Sequence, residues 1–173
     1  ENFENIHFDL TDGIFCPTLG LSIITLEQLS EENEFKIDVH LLVQNPLNVL
    51  KRIENLNIER MIFHQETISE EEFKNLSFDN IKKGVAVLPD TSISKLSGYL
   101  NYADCVLLLC ISPSLFPEKE KVVIITDRVK EFYKIFPNFN GNLIVDGGIN
   151  KENLADLKKL KVSNVVVGSK FFT

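Results

Sequence analysis

A chain of 173 residues, 44% of them apolar, can bury one ordinary core, and none of its apolar runs approaches the roughly 20 residues that cross a bilayer. The net charge of −7 and the scattered Lys and Arg argue against a nucleic-acid partner, because affinity for a phosphate backbone rests on clustered cations. The opening residues, ENFENIHFDL, lack a basic-then-apolar leader pattern, and Cys16, Cys105 and Cys110 show no paired metal spacing, so a single cytoplasmic domain with reduced, mostly buried thiols is expected.

Apolar strand-like segments follow one another along the chain. They are NIHFDL from Asn5, FKIDVHLLV from Phe35, RMIFHQE from Arg60, KGVAVLP from Lys83, CVLLLCIS from Cys105, NLIVDGGI from Asn142 and SNVVVGS from Ser163. Helical patterns lie between most of them. Asn45 before Pro46 marks one helix start, SEEE from Ser69 is a capping box, and Asn150 precedes the helical run KENLADLKKL. The short basic clusters IKKG and LKKLKV read as solvated helix ends. Seven strands alternating with helices, some as uniformly apolar as Val106 to Leu109, predict a parallel sheet covered on both faces. An open doubly wound sheet and a (β/α) barrel both satisfy that pattern.

The chain has three histidines, His7, His40 and His64, and each sits inside an apolar strand segment near its C-terminal end. A single such residue is most often a hydrogen-bonded core histidine. Three together point elsewhere, because the C-terminal ends of parallel strands converge on the face where α/β sites are built. His7, Asp9, His40, His64 and Asp146 are therefore expected to meet there. His7 and Asp9, two apart on one strand, share a face.

The run IHFDLTDGIFCP resembles the second-strand signature of the ribulose-phosphate 3-epimerase family, and IDVHLLVQNP resembles its third. IFHQET, KKGVAVLPDTSI, IVDGGI and VVVGS follow in the family's order. The resemblance implies a TIM-type (β/α) barrel, here without the family's first βα unit and last helix. It also implies inversion of carbon 3 between D-ribulose 5-phosphate and D-xylulose 5-phosphate with one divalent metal ion: zinc, iron(II), manganese or cobalt. His7, Asp9, His40 and Asp146 match the family's metal ligands, and Asp9 and Asp146 also match its acid/base pair. Two carboxylates suit the chemistry, since inversion needs a proton removed from one face of a planar enediolate and returned to the other.

Gly147, Gly148, Gly168 and Ser169 follow the last two strands, where barrel enzymes often hold phosphate. His64 is expected to line the pocket, together with Thr11, Leu42 and Leu109 at positions where the family has methionines. Asp38 is placed either to orient a ligand imidazole or to make a buried hydrogen bond within the barrel, and Asp12 reads as a turn residue. The family's glycine-rich lid is replaced by PSLFPEKE, from Pro113 to Glu120, which has no glycine. A hexulose 6-phosphate substrate, or a relative that keeps the scaffold without turnover, shares these features. An incompletely closed sheet leaves edge strands, so some self-association is also expected.

Overall fold

The computed structural model describes residues 5–32, 34–111 and 124–168. Seven strands appear in chain order: β1 (Asn5–Thr11), β2 (Lys36–Leu42), β3 (Arg60–His64), β4 (Lys82–Val87), β5 (Cys105–Leu109), β6 (Asn142–Asp146) and β7 (Asn164–Val166). Each is parallel to the next in one sheet of order β1-β2-β3-β4-β5-β6-β7. Helices α1 (Ile23–Glu32), α2 (Pro46–Ile53), α3 (Glu70–Asn75), α4 (Ile125–Ile135) and α5 (Lys151–Lys159) fall between strands. The β4–β5 connection carries two short 3₁₀ turns, Ile93–Leu96 and Leu100–Tyr102, in place of a full helix. The sheet curls into a nearly closed (β/α) barrel of the TIM type, so of the two architectures the strand pattern allowed, the barrel is the one adopted. No helix among the described residues is long and apolar enough to cross a membrane.

Because successive strand side chains point to opposite faces, the alternation along each strand builds two separate apolar cores. Outward residues such as Phe8, Val39, Phe63, Val85, Val106 and Val145 pack against Leu26, Ile53, Phe73, Val129, Phe132 and Leu157 of the helices. Inward residues form a smaller cluster in the barrel interior, made of Leu42, Ile62, Ala86, Cys105, Leu107, Leu109 and Ile144, with Cys16 from the loop after β1. The three cysteines are buried and none is in a disulfide; burial pushes the Cys105 and Cys110 thiols up to about 12, which leaves those two inert.

The helix starts differ in how they are satisfied. Ser69 and Glu72 close a reciprocal capping box, and Asn150 does the same with Asn153. Asn45 occupies the cap position before Pro46 but its side chain makes no capping bond, so the proline alone marks that start.

Gly84 on β4 packs closely against the Cys105 and Ile62 side chains of the neighbouring strands. A Cβ there would lie 2.6 Å from Cys105 Sγ and 3.0 Å from Ile62 Cγ1. Gly84→Ala should therefore cost about 1–3 kcal/mol, the usual penalty for overfilling a packed core. Urea unfolding checks this, and an unchanged midpoint would show slack in the interior at that level.

Candidate metal centre

Strands β1 and β2 bring three polar groups to the C-terminal mouth of the barrel. His7 and Asp9 project to the same side of β1, and the register sets Asp9 beside His40 on β2. Asp146 ends β6 and reaches them only because the sheet curls, since four strands separate β1 from β6 in the sheet order. Asp9 Oδ1 lies 2.9 Å from His40 Nδ1 and 3.4 Å from His7 Nε2. Asp146 Oδ2 lies 3.8 Å from His7 Nε2 and 3.9 Å from His40 Nδ1. One donor atom from each of the four residues lies within 4.8 Å of every other.

This set fits a divalent cation. A tetrahedral site with bonds of about 2.1 Å has edges of about 3.4 Å, which the four separations above bracket. Two imidazoles with two carboxylates suit zinc, iron(II), manganese or cobalt. His7 Nε2 also faces His40 Nδ1 at 3.4 Å, an unusual meeting of two ring nitrogens that a shared cation would explain.

Local electrostatics drives the two carboxylates apart. Burial opposes ionisation of Asp9, but the close contacts with the His40 and His7 rings outweigh it and hold this carboxyl well below the usual range. Burial pushes Asp146 up to about 6, against the attraction of His7 and with the charge of Asp9 adding to the rise. His40, fully enclosed, is pushed down to about 4, chiefly by burial. For His7 burial acts downward, yet the Asp9 hydrogen bond and the carboxylate charges leave it raised.

The remaining expected residues divide by place. Gly147 and Gly148 take positive φ of 99° and 72°, and with Gly168 they line a cavity of about 610 Å³ that also touches His7, Asp9 and Asp146. A Cβ on Gly147 would lie 2.9 Å from the Ile111 backbone nitrogen, so only glycine fits that turn. Ser169 and the segment Pro113 to Glu120 lie outside the described residues. Leu42 and Leu109 belong to the buried interior cluster. Thr11 turns aside: its hydroxyl accepts the Gly20 N–H at 2.6 Å and so closes the loop after β1.

Asp38 does not hold a ligand imidazole. It pairs with Arg60 at 3.1 Å and accepts from Asn5, which makes it part of a buried polar layer one step below the four converging residues, beside His7 in the strand register. Asp12 accepts the N–H groups of Ile14, Phe15 and Gln44 and pins the loop. His64 has no exposed side-chain surface; its Nε2 is 2.8 Å from His40 Nε2 and its ring lies 4.9 Å from that of Phe15. Beyond it stands Glu66, a residue that the motifs left without a role, 3.1 Å from His64 Nδ1. The two-residue spacing His64 to Glu66 was the available signal, being the same spacing that joins His7 to Asp9.

Fold and site together define a (β/α) barrel with a candidate divalent-cation centre of two imidazoles and two carboxylates at its C-terminal mouth. The sequence model of the Ribulose-phosphate 3 epimerase family matches residues 1–172, and the chain belongs to that family. It is 32% identical to a ribulose-phosphate 3-epimerase of Buchnera aphidicola subsp. Acyrthosiphon pisum over 96% of this chain and 75% of the relative. It is 27% identical to one of Helicobacter pylori strain J99 over 99% of this chain and 80% of the relative. Those names support an enzyme of the epimerase class, an isomerase. Among solved structures, a variant tryptophan synthase alpha-subunit from Pyrococcus furiosus is similar in fold, with a TM-score of 0.56, 17% identity, and coverage of 86% of this chain and 62% of that one.

The raised Asp146 makes a signed prediction. The unfolded chain holds this carboxyl near 4, whereas the fold holds it at about 6, so the folded state binds the proton more tightly. Its contribution to stability is full below about 4 and is lost as pH climbs through about 6. Asp146→Asn should flatten that decline and leave the metal-free protein about 1–3 kcal/mol more stable than wild type at neutral pH. The same change should weaken zinc binding by more than the roughly 10–100-fold typical of losing an outer partner. Thermal melts across this pH range and chelator competition give the two readouts; a variant less stable than wild type at neutral pH would mean that the Asp146 charge is already well satisfied.

Proposed function

We propose that this chain epimerises carbon 3 of a ketose phosphate, interconverting D-ribulose 5-phosphate and D-xylulose 5-phosphate, with His7, Asp9, His40 and Asp146 holding one divalent cation. The observation that carries this reading is the convergence of those four residues from three strands onto one point, in a chain that the family spans almost entirely. A bound cation supplies Lewis-acid stabilisation of the negative charge that develops when the proton next to the ketone is removed.

The residues divide the remaining work. Asp9 and Asp146 are the acid/base pair, one taking the carbon 3 proton and the other returning a proton to the opposite face, and their roles exchange with the direction of reaction. Their environments already differ, with Asp9 held ionised and Asp146 near the point of protonation, which is the pattern an acid and base acting in succession require. Asp9 is half exposed at its side chain, so substrate reaches it, whereas Asp146 is 15% exposed and approached from the cavity. The backbone around Gly147, Gly148 and Gly168 offers N–H groups to the phosphate where side chains are absent. Leu42 and Leu109 keep the interior behind the site apolar and exclude water.

Metal analysis of purified protein, combined with deuterium incorporation at carbon 3 of ribulose 5-phosphate in heavy water, tests the reading. Cation with exchange is expected; cation without exchange would identify a scaffold that has lost turnover. Asp9→Asn and Asp146→Asn should each lower the exchange rate by about 10²–10⁴-fold, the range for losing one acid/base group. Exchange surviving in either variant at the wild-type rate would remove that aspartate from the chemistry.

A further inference from the structure

Three close contacts run in a line from the candidate cation centre across the barrel interior. His40 Nδ1 lies 2.9 Å from Asp9 Oδ1, His40 Nε2 lies 2.8 Å from His64 Nε2, and His64 Nδ1 lies 3.1 Å from Glu66 Oε2. Both rings are wholly buried, so every ring nitrogen must find its partner within this line. Two neutral imidazoles carry two N–H protons, one fewer than the three contacts need.

Glu66 fixes the far end. Its Oε1 accepts the backbone N–H of Leu88 at 2.9 Å, a donor that cannot reverse, and it also bonds the Thr91 side chain. Its Oε2 is left to accept from His64 Nδ1–H. His64 Nε2 then carries a lone pair, His40 must donate from Nε2, and His40 Nδ1 is left with a lone pair facing Asp9, His7 and Asp146. A His40 proton on Nδ1 would also satisfy two contacts but would set two Nε2 lone pairs face to face at 2.8 Å; with it on Nε2 the unmet contact is lone pair against carboxylate, which is where a cation belongs.

We infer that His64 and Glu66 are positioning residues that lock His40 into the tautomer presenting Nδ1 to the cation. The inference rests on the cation site of the proposed function and assigns roles to two residues outside it. It also predicts an asymmetry between two similar side chains at position 66. In Glu66→Gln the single amide oxygen is claimed by the Leu88 N–H, so the NH₂ group faces His64 Nδ1. To avoid donor against donor, His64 must move its proton to Nε2, which then opposes His40 Nε2–H. Either that contact breaks or the proton of His40 moves to Nδ1 and blocks the cation.

The test has two arms. In zinc-loaded wild-type protein, ¹⁵N imidazole spectra should show His64 protonated on Nδ1 and bare on Nε2, a signature that mere packing of the ring does not impose. Chelator competition should show Glu66→Gln binding zinc about 10–100-fold more weakly than wild type, the usual cost of losing an outer partner of a metal-bound histidine. His64 protonated on Nε2 in the zinc-loaded wild type overturns the inference, and so does a folded Glu66→Gln protein that binds zinc as tightly as wild type. The spectral arm needs no variant and decides the matter should Glu66→Gln fail to fold. Zinc bound with the expected tautomer but without carbon 3 exchange supports the relay and sinks the epimerase reading, so the two fail separately.

Discussion

The two-residue period of parallel strands, applied to a sheet that curls on itself, is the constraint on which this molecule depends. On a flat sheet His7 of β1 and Asp146 of β6 would be far apart, because neighbouring strands are separated by about 4.8 Å. Curling carries them to 3.8 Å. The same parity that sends Phe8 and Leu10 outward to the helices sends His7 and Asp9 inward, and on β2 it sends Val39 and Leu41 outward and His40 inward. Burial of the outward set thus fixes the inward set: a one-residue slip of β1 or β2 would bring imidazoles against the helices and leave phenylalanine in the mouth of the barrel.

This arrangement concentrates cost in one place. Most of the interior is apolar, closed by Ile62, Ala86, Cys105, Leu107 and Ile144, and contributes to stability in the ordinary way. At the mouth, burial deprives His40 of charge and pushes the Asp146 carboxyl up to about 6. Groups so far from their ordinary ionisation are a stability burden in the metal-free state, and such burdens are typical of sites whose ligand supplies the missing charge. The neighbouring polar layer shows the structural alternative: Asp38, also buried, is matched by Arg60 and Asn5. A cationic side chain answers the buried carboxylate there, whereas none reaches Asp9 or Asp146 among the described residues.

Strands and the four converging residues were legible in the sequence because period and composition both act locally. Each of the seven segments overlaps its strand, and the apolar run Val106 to Leu109 is as buried as its composition demands. The 3₁₀ turns between β4 and β5 escaped the helical pattern, since three or four residues are too few to display a period. Asp38 could not be assigned from the chain alone. Its spacing to His40 is that of an orienting carboxylate, and only the register, which sets Asp38 against Arg60 on β3, decides between partners. Glu66 was hidden for a related reason. Its meaning lies in a neighbour on another strand, His40, reached through His64, and no local pattern records a contact between strands.

That contact ties the site to the outer shell of the barrel. Glu66 is held by the Leu88 N–H, and the carbonyls of Leu88 and Thr91 are in turn held by Arg128 Nη2 of α4 at 2.9 and 2.7 Å. A path of hydrogen bonds therefore runs from a helix on the outside, through the loop after β4, to the carboxylate, two imidazoles and the candidate cation centre. Arg128 is only 6% exposed, so breaking its bonds would strand a buried cation as well as free the loop. The stability of the α4 packing and the orientation of His40 consequently share the same few bonds. A substitution at the helix that loosens the loop reaches the candidate centre without touching it, while Asp9 and Asp146 keep their places on β1 and β6.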